Sequence, residues 1–149
     1  MAPADGRGES ALYVVATWVP RRTTITVGSL GPVRFARGWY AYVGSARRGR
    51  NARVARHLRA DKPLRWHADY LFAVFPGRLA WLVDGELTEC ELAGALAGLR
   101  GAARRPPRFG AGDCRCAGHL VALAACPDAT SLAAAADGCA VLAAGHLRG

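Results

Sequence analysis

Long apolar runs are missing from this 149-residue chain. Every uninterrupted hydrophobic stretch is far shorter than the roughly 18–20 residues that a helix needs to cross a bilayer, so no membrane partner is expected. A signal core is missing as well. Met1-Ala2-Pro3-Ala4-Asp5-Gly6-Arg7-Gly8 carries no apolar block, residues 1–10 read as a disordered lead, and the protein is expected to stay in the cytoplasm. Lysine is almost absent: Lys62 is the only one. The cysteines, Cys90, Cys114, Cys116, Cys126 and Cys139, are odd in number and have no secretion signal. That argues against a disulfide framework and leaves free thiols, metal ligands or packing. No internal repeat and no second domain are visible, so residues 11–149 read as one domain.

What is present is arginine. The formal charge is +9, and nearly all of the positive charge is guanidinium. Such a surface is drawn to phosphate polyanions, which arginine binds in a forked, bidentate way. The alternative source of the same charge is a GC-rich coding bias, which enriches Ala, Gly and Arg together. Just over half of the residues are apolar, enough to bury a core.

The hydropathy pattern predicts strands over residues 11–18, 23–27, 33–35, 38–44, 79–83 and 120–125, from apolar runs rich in β-branched and aromatic residues. Helices are predicted over residues 51–60, 88–99 and 131–136, with a helical turn or two over 66–72. Val54 and Leu58 face the core in the first helix. Leu92, Ala95, Leu96 and Leu99 form the buried stripe of the second. Residues 101–107 read as a linker and 109–119 as a Gly/Cys-rich loop. Tyr40 and Tyr42 share one strand face, with Trp39, Ala41 and Val43 on the other. The expected architecture is α+β: a small, mainly antiparallel central sheet flanked by helices.

The chemistry concentrates after the 38–44 strand. Tyr42 leaves the sheet just before Gly44, which permits a tight exit and a close backbone approach to a ligand. A basic loop follows, and then Arg53 and His57, four apart and so on one side of a helix. A tyrosine, an arginine and a histidine beside a basic loop can handle phosphate. Singly, each has a plain structural reading: a core tyrosine, a solvated arginine, a packed histidine.

Tyr42-Val43-Gly44 resembles the second half of the GIY-YIG nuclease signature, and Leu12-Tyr13-Val14 the first. Arg53…His57 is similar to that superfamily's arginine helix. The stretches GWYAYVGSA, ARVARHLR, LRWHADYL, TECELA and GDCRCAGHL together resemble one compact branch, the domain-of-unknown-function 123 branch. Its members also occur fused to endonuclease III-like repair proteins. The resemblance covers roughly residues 11–123. Tyr13 and Tyr42 stand further apart than in the family pattern, and Ala11 replaces the first glycine. An inserted hairpin over residues 23–37 would account for the spacing and leave the two strands as neighbours; the other possibility is that different strands pair.

The resemblance implies an endonuclease that hydrolyses DNA phosphodiesters, in repair or processing, with one Mg²⁺ or Mn²⁺. It implies a glutamate ligand on a helix, for which Glu89 and Glu91 are the candidates. Thr88-Glu89-Cys90-Glu91 fits a capping box with Thr88 as N-cap and Glu91 reaching back, so Glu91 has a structural task and is held in reserve. Glu89 lies on the stripe that packs on the sheet, which would point it toward the strand tyrosines. Tyr13 or Tyr42 would position or deprotonate water. A free tyrosine is a weak base at neutral pH and would need a neighbouring cation to lower its pKa. Arg53 would neutralise phosphate charge, and His57 would orient a tyrosine or the phosphate. Arg47, Arg48, Arg50 and Arg56 read as grips on the nucleic-acid backbone.

Cys114-x-Cys116-x-x-His119, with Cys90 as a fourth ligand, is a candidate structural zinc site; the other reading is a packed loop of small cysteines around a hydrogen-bonded histidine. Cys126 and Cys139 read as packing. His67 or Asp69 either assists catalysis or contacts a base, or the segment anchors a helix on which Trp66 and Tyr70 pack one turn apart. Two rival functions accompany the nuclease: a catalytically silent nucleic-acid-binding module on the same scaffold, and a zinc- or thiol-based protein-interaction domain.

Overall fold

The computed structural model describes residues 12–46, 48–60, 63–111, 117–136 and 139–146. The expected lead over residues 1–10 lies outside the described residues. The main sheet contains β1 (Leu12–Val19), β4 (Gly38–Ser45), β5 (Leu79–Asp84), β6 (Ala103–Arg104), β7 (Leu120–Leu123) and β8 (Ala140–His146). Its order is β6-β7-β4-β1-β5-β8, and every neighbouring pair is antiparallel. β2 (Thr23–Thr26) and β3 (Pro32–Phe35) form a separate two-stranded ribbon. The helices are α1 (Arg50–His57), α2 (His67–Val74), α3 (Glu89–Ala97) and α4 (Ala129–Ala135). The α+β reading holds.

The ribbon occupies the place of the expected hairpin between the two tyrosine strands. It leaves β1 and β4 paired along their whole length, from Leu12 opposite Ser45 to Val19 opposite Gly38. β1 is covered on both faces, which explains its nearly unbroken apolar sequence. One core gathers Tyr13, Val15, Tyr40 and Tyr42 with Val54 of α1, Leu71 and Phe72 of α2, and Phe35 of the ribbon. The other gathers Leu12, Val14, Ala41 and Val43 with Leu92 and Leu96 of α3 and Leu132 of α4. The predicted alternation of Tyr40 and Tyr42 against Ala41 and Val43 is therefore observed. Thr17, fully buried in β1, ends the run differently: its single hydroxyl proton is shared between the carbonyls of Phe75 (2.8 Å) and Pro76 (3.0 Å). This ties the chain after α2 to the sheet.

Three details differ from the sequence reading. Residues 103–104 of the expected linker form β6, and β8 adds an unforeseen edge strand beside β5. On α3 the buried residues are Leu92, Ala93 and Leu96, while Ala95 stays half-buried, as does Leu99, which lies beyond the end of the helix. Among the described residues, no helix is long and apolar enough to cross a membrane.

Candidate active site

The strand register brings the two tyrosines together. Tyr13 lies opposite Gly44 and Tyr42 opposite Val15, so both rings leave the same face of the sheet, 6.4 Å apart between centroids. Gly44 is needed for space: a Cβ there would sit 2.4 Å from Cζ and from the hydroxyl oxygen of Tyr13. Gly44→Ala should therefore push the phenol aside and destabilise the fold by about 1–3 kcal/mol, the usual cost of overpacking. A denaturation midpoint indistinguishable from that of the parent protein would contradict this.

α1 supplies the next two groups. His57 is buried, its Nε2 is 3.0 Å from the Tyr13 hydroxyl oxygen, and its ring lies 5.1 Å from that of Phe72 and 5.6 Å from that of Tyr42. One turn earlier, Arg53 donates from Nη1 to the carbonyl of Ser45 at 3.2 Å. Its guanidinium also lies 4.5 Å from the ring centroid of Trp66.

α3 brings the carboxylate. Thr88 is the N-cap: its Oγ1 accepts from the Glu91 N–H at 3.1 Å, and its own N–H donates to Glu91 Oε1 at 3.0 Å. Glu91 is exposed and occupied with this cap. Glu89 turns the other way. It accepts from the hydroxyl of Ser45 on Oε2, and its Oε1 lies 3.2 Å from His119 Nδ1. The expected route was wrong, however. α3 packs on the sheet face opposite the tyrosines, and the carboxylate reaches them from the end of β4, where Ser45 holds it. Ser45 thus binds Glu89 through its hydroxyl and Arg53 through its carbonyl.

Tyr13, Tyr42, Arg53, His57 and Glu89 all line one cleft of about 280 Å³, together with Ser45, Trp66, Gly110 and His119. The sequence reading did not assign Ser45, Trp66 or Gly110 to the site. For Ser45 the available signal was its place directly after Tyr42-Val43-Gly44. Burial pushes both phenols well above the ordinary tyrosine range; at Tyr13 the nearby Arg53 charge opposes this without overcoming it, and at Tyr42 the neighbouring Tyr13 and Glu89 add to it. Both phenols are thus protonated at neutral pH. The Arg53 charge acts in the lowering direction on both phenols, and burial outweighs it. Burial also lowers the His119 pKa, against the pull of Glu89, which favours a neutral imidazole at this edge.

The proposed backbone grips divide. Arg47 lies outside the described residues, and Arg48 is exposed. Arg50 instead pairs with Asp84 (2.8 Å) and donates to the Leu12 carbonyl (3.1 Å), stapling α1 to β1 and β5. Arg56 makes a fork to buried Asp69, Nε to Oδ1 at 3.1 Å and Nη2 to Oδ2 at 2.9 Å. Both have structural work that a nucleic-acid contact would have to displace. Asp69 also accepts from the N–H groups of Arg65 (2.7 Å) and Trp66 (2.9 Å), so it anchors the start of α2. His67 accepts the Gly110 N–H on Nδ1 at 2.9 Å, and burial lowers its pKa. It thereby holds the loop that closes the cleft beside Tyr42. Trp66 does not pack with Tyr70; it stands at the cleft, while Tyr70 lies over Gly28.

For the proposed zinc site, Cys90 Sγ lies 3.5 Å from His119 Nε2, while Cys114 and Cys116 lie outside the described residues. Among the described residues, no group of three or more His, Cys, Asp or Glu side chains is arranged to hold a metal ion. Cys139 is half-buried against the second core, as expected for packing, but Cys126 is exposed.

A family model described as "Domain of unknown function DUF123" matches residues 12–139. No curated protein and no solved structure matches the chain.

Proposed function

We propose that this chain, which belongs to the DUF123 family, is a divalent-metal-dependent endonuclease of the GIY-YIG type acting on DNA. The observation that supports this reading is the meeting of two strand tyrosines, a helical arginine, a helical histidine and a helical glutamate around one phosphate-sized cleft. The donor set fits one hard cation. Mg²⁺ commonly takes one or two carboxylates and completes its shell with water and substrate phosphate, and Glu89 presents a carboxylate at the cleft edge. Bound there, such an ion supplies Lewis-acid stabilisation of the phosphate charge.

The chain's own groups have definable tasks in this reading. Arg53 places a permanent positive charge beside the transferring phosphate. The protonated phenols hold the attacking water by hydrogen bonds. Tyr13 can take a proton from that water only if it passes its own to a neighbour, and His57 Nε2 stands 3.0 Å away to receive it. Ser45 fixes the relative positions of Arg53 and Glu89.

Labelled single-stranded, branched and duplex DNA, incubated with the protein with and without Mg²⁺ or Mn²⁺, tests the proposal. Cleavage that requires the ion and disappears with Arg53→Ala is the expected result. The rival reading is a binding module without catalysis. That reading gains if binding is salt-dependent and no strand is cut under any ion condition.

A further inference from the structure

Trp66 belongs to neither hydrophobic core, although tryptophan has much apolar surface to bury. It keeps 36% of its surface exposed and lines the same cleft as the tyrosines. Its backbone is nevertheless held in place. The Trp66 N–H donates to Asp69 Oδ2 at 2.9 Å, and its carbonyl accepts the Asp69 N–H at 2.9 Å. Three guanidiniums lie over the indole ring, Arg53 at 4.5 Å, Arg56 at 4.8 Å and Arg65 at 5.6 Å from its centroid, and the part of the indole left exposed is the part open to a ligand. Asp69 neutralises one of these charges, through Arg56.

A partly exposed indole among excess positive charge has two complementary partners: an aromatic ring to stack on, and anions beside it. An unpaired nucleotide offers both, a flat base and flanking phosphates. Continuous duplex offers only the phosphates, because its bases are stacked inside. We propose that Trp66 is the stacking platform for an unpaired base next to the phosphate held by Arg53, so that the preferred partner is a strand with unstacked nucleotides. This rests on the nuclease reading above and specifies its substrate.

The test is equilibrium binding in metal-free buffer, where strand cutting does not interfere. Three probes of equal length are used: a single-stranded oligonucleotide, the same backbone with abasic positions, and a closed duplex. Trp66→Leu should weaken binding to the single strand by roughly 5- to 150-fold, the range for losing one stacked base. It should leave the abasic and duplex probes nearly unchanged, and Trp66→Phe should restore most of the affinity. Equal losses on all three probes would show that Trp66 merely orders the arginines, and would overturn the proposal. Unaltered binding of every probe by Trp66→Leu would overturn it as well, while metal-dependent cutting by the parent protein left the nuclease reading standing. If the parent protein bound no probe, both would fall together.

Discussion

Glu89→Gln should reduce metal-dependent strand cleavage by at least about a thousandfold while leaving binding in metal-free buffer close to that of the parent. The substitution keeps the shape of the side chain and an acceptor for the Ser45 hydroxyl, and removes the charge that holds a divalent ion. Charge stabilisation by such an ion is worth several kcal/mol, and about 1.4 kcal/mol is a factor of ten in rate. Glu91→Gln supplies the contrast. It disturbs an exposed cap that contributes on the order of 1 kcal/mol and should leave cleavage near the parent rate. Single-turnover cleavage at saturating protein separates the two cases. Loss of cutting in Glu91→Gln with normal cutting in Glu89→Gln would reverse the assignment.

The second large effect concerns stability. Asp69 is fully buried, and the Arg56 side chain that pairs with it is 16% exposed. Asp69→Ala takes the carboxylate from that guanidinium, whose Nη2 still donates to the Pro63 carbonyl, and releases the N–H groups of Arg65 and Trp66. Breaking one partner of such a pair costs about 3–5 kcal/mol, so the melting temperature should fall by on the order of 10 °C. The pH dependence follows from the carboxyl itself. Burial disfavours its charged form, but the Arg56 hydrogen bonds and the two backbone N–H groups outweigh burial and hold its pKa below the ordinary value. The folded state therefore binds this proton less readily than the unfolded chain. The pair's contribution is fully present above an unfolded-state pKa of about 4. It is lost as pH falls through the lower folded value. Thermal melts from pH 7 downward should show the parent approaching Asp69→Ala only in acid. A constant gap at all pH values would sink the argument.

The contrast between Glu89 and Glu91 was legible because a capping box is local: four consecutive residues fix which carboxylate reaches back. The pairing of Arg53 with His57 was legible for the same reason, through helix periodicity. The side of the sheet on which α3 packs was not, because a stripe of Leu92 and Leu96 says that a face is buried and not which layer buries it. The tasks of Arg50 and Arg56 were hidden because Asp84 and Asp69 are distant in sequence, and a basic run looks the same whether its guanidiniums meet solvent or a buried acid. β8 escaped notice because Ala140, Ala143, Ala144 and Gly145 carry little intrinsic strand preference. Its conformation comes from the open edge of β5, with Val83 opposite Val141 and Leu82 opposite Leu142. Trp66 was read as an anchor because an aromatic one turn from Tyr70 usually packs with it, and the ring of arginines exists only once α1 and α2 are assembled.

Ser45 gives the molecule a particular indivisibility. Its hydroxyl serves a helix on one side of the sheet and its carbonyl serves a helix on the other. The acid and the cation are thus joined through a single residue at the rim where the two layers meet. A fragment ending before α3 has the phenols and the guanidinium with no carboxylate. A fragment beginning after β4 has the carboxylate with nothing to hold it in place. The ensemble exists only where both layers close on the same edge.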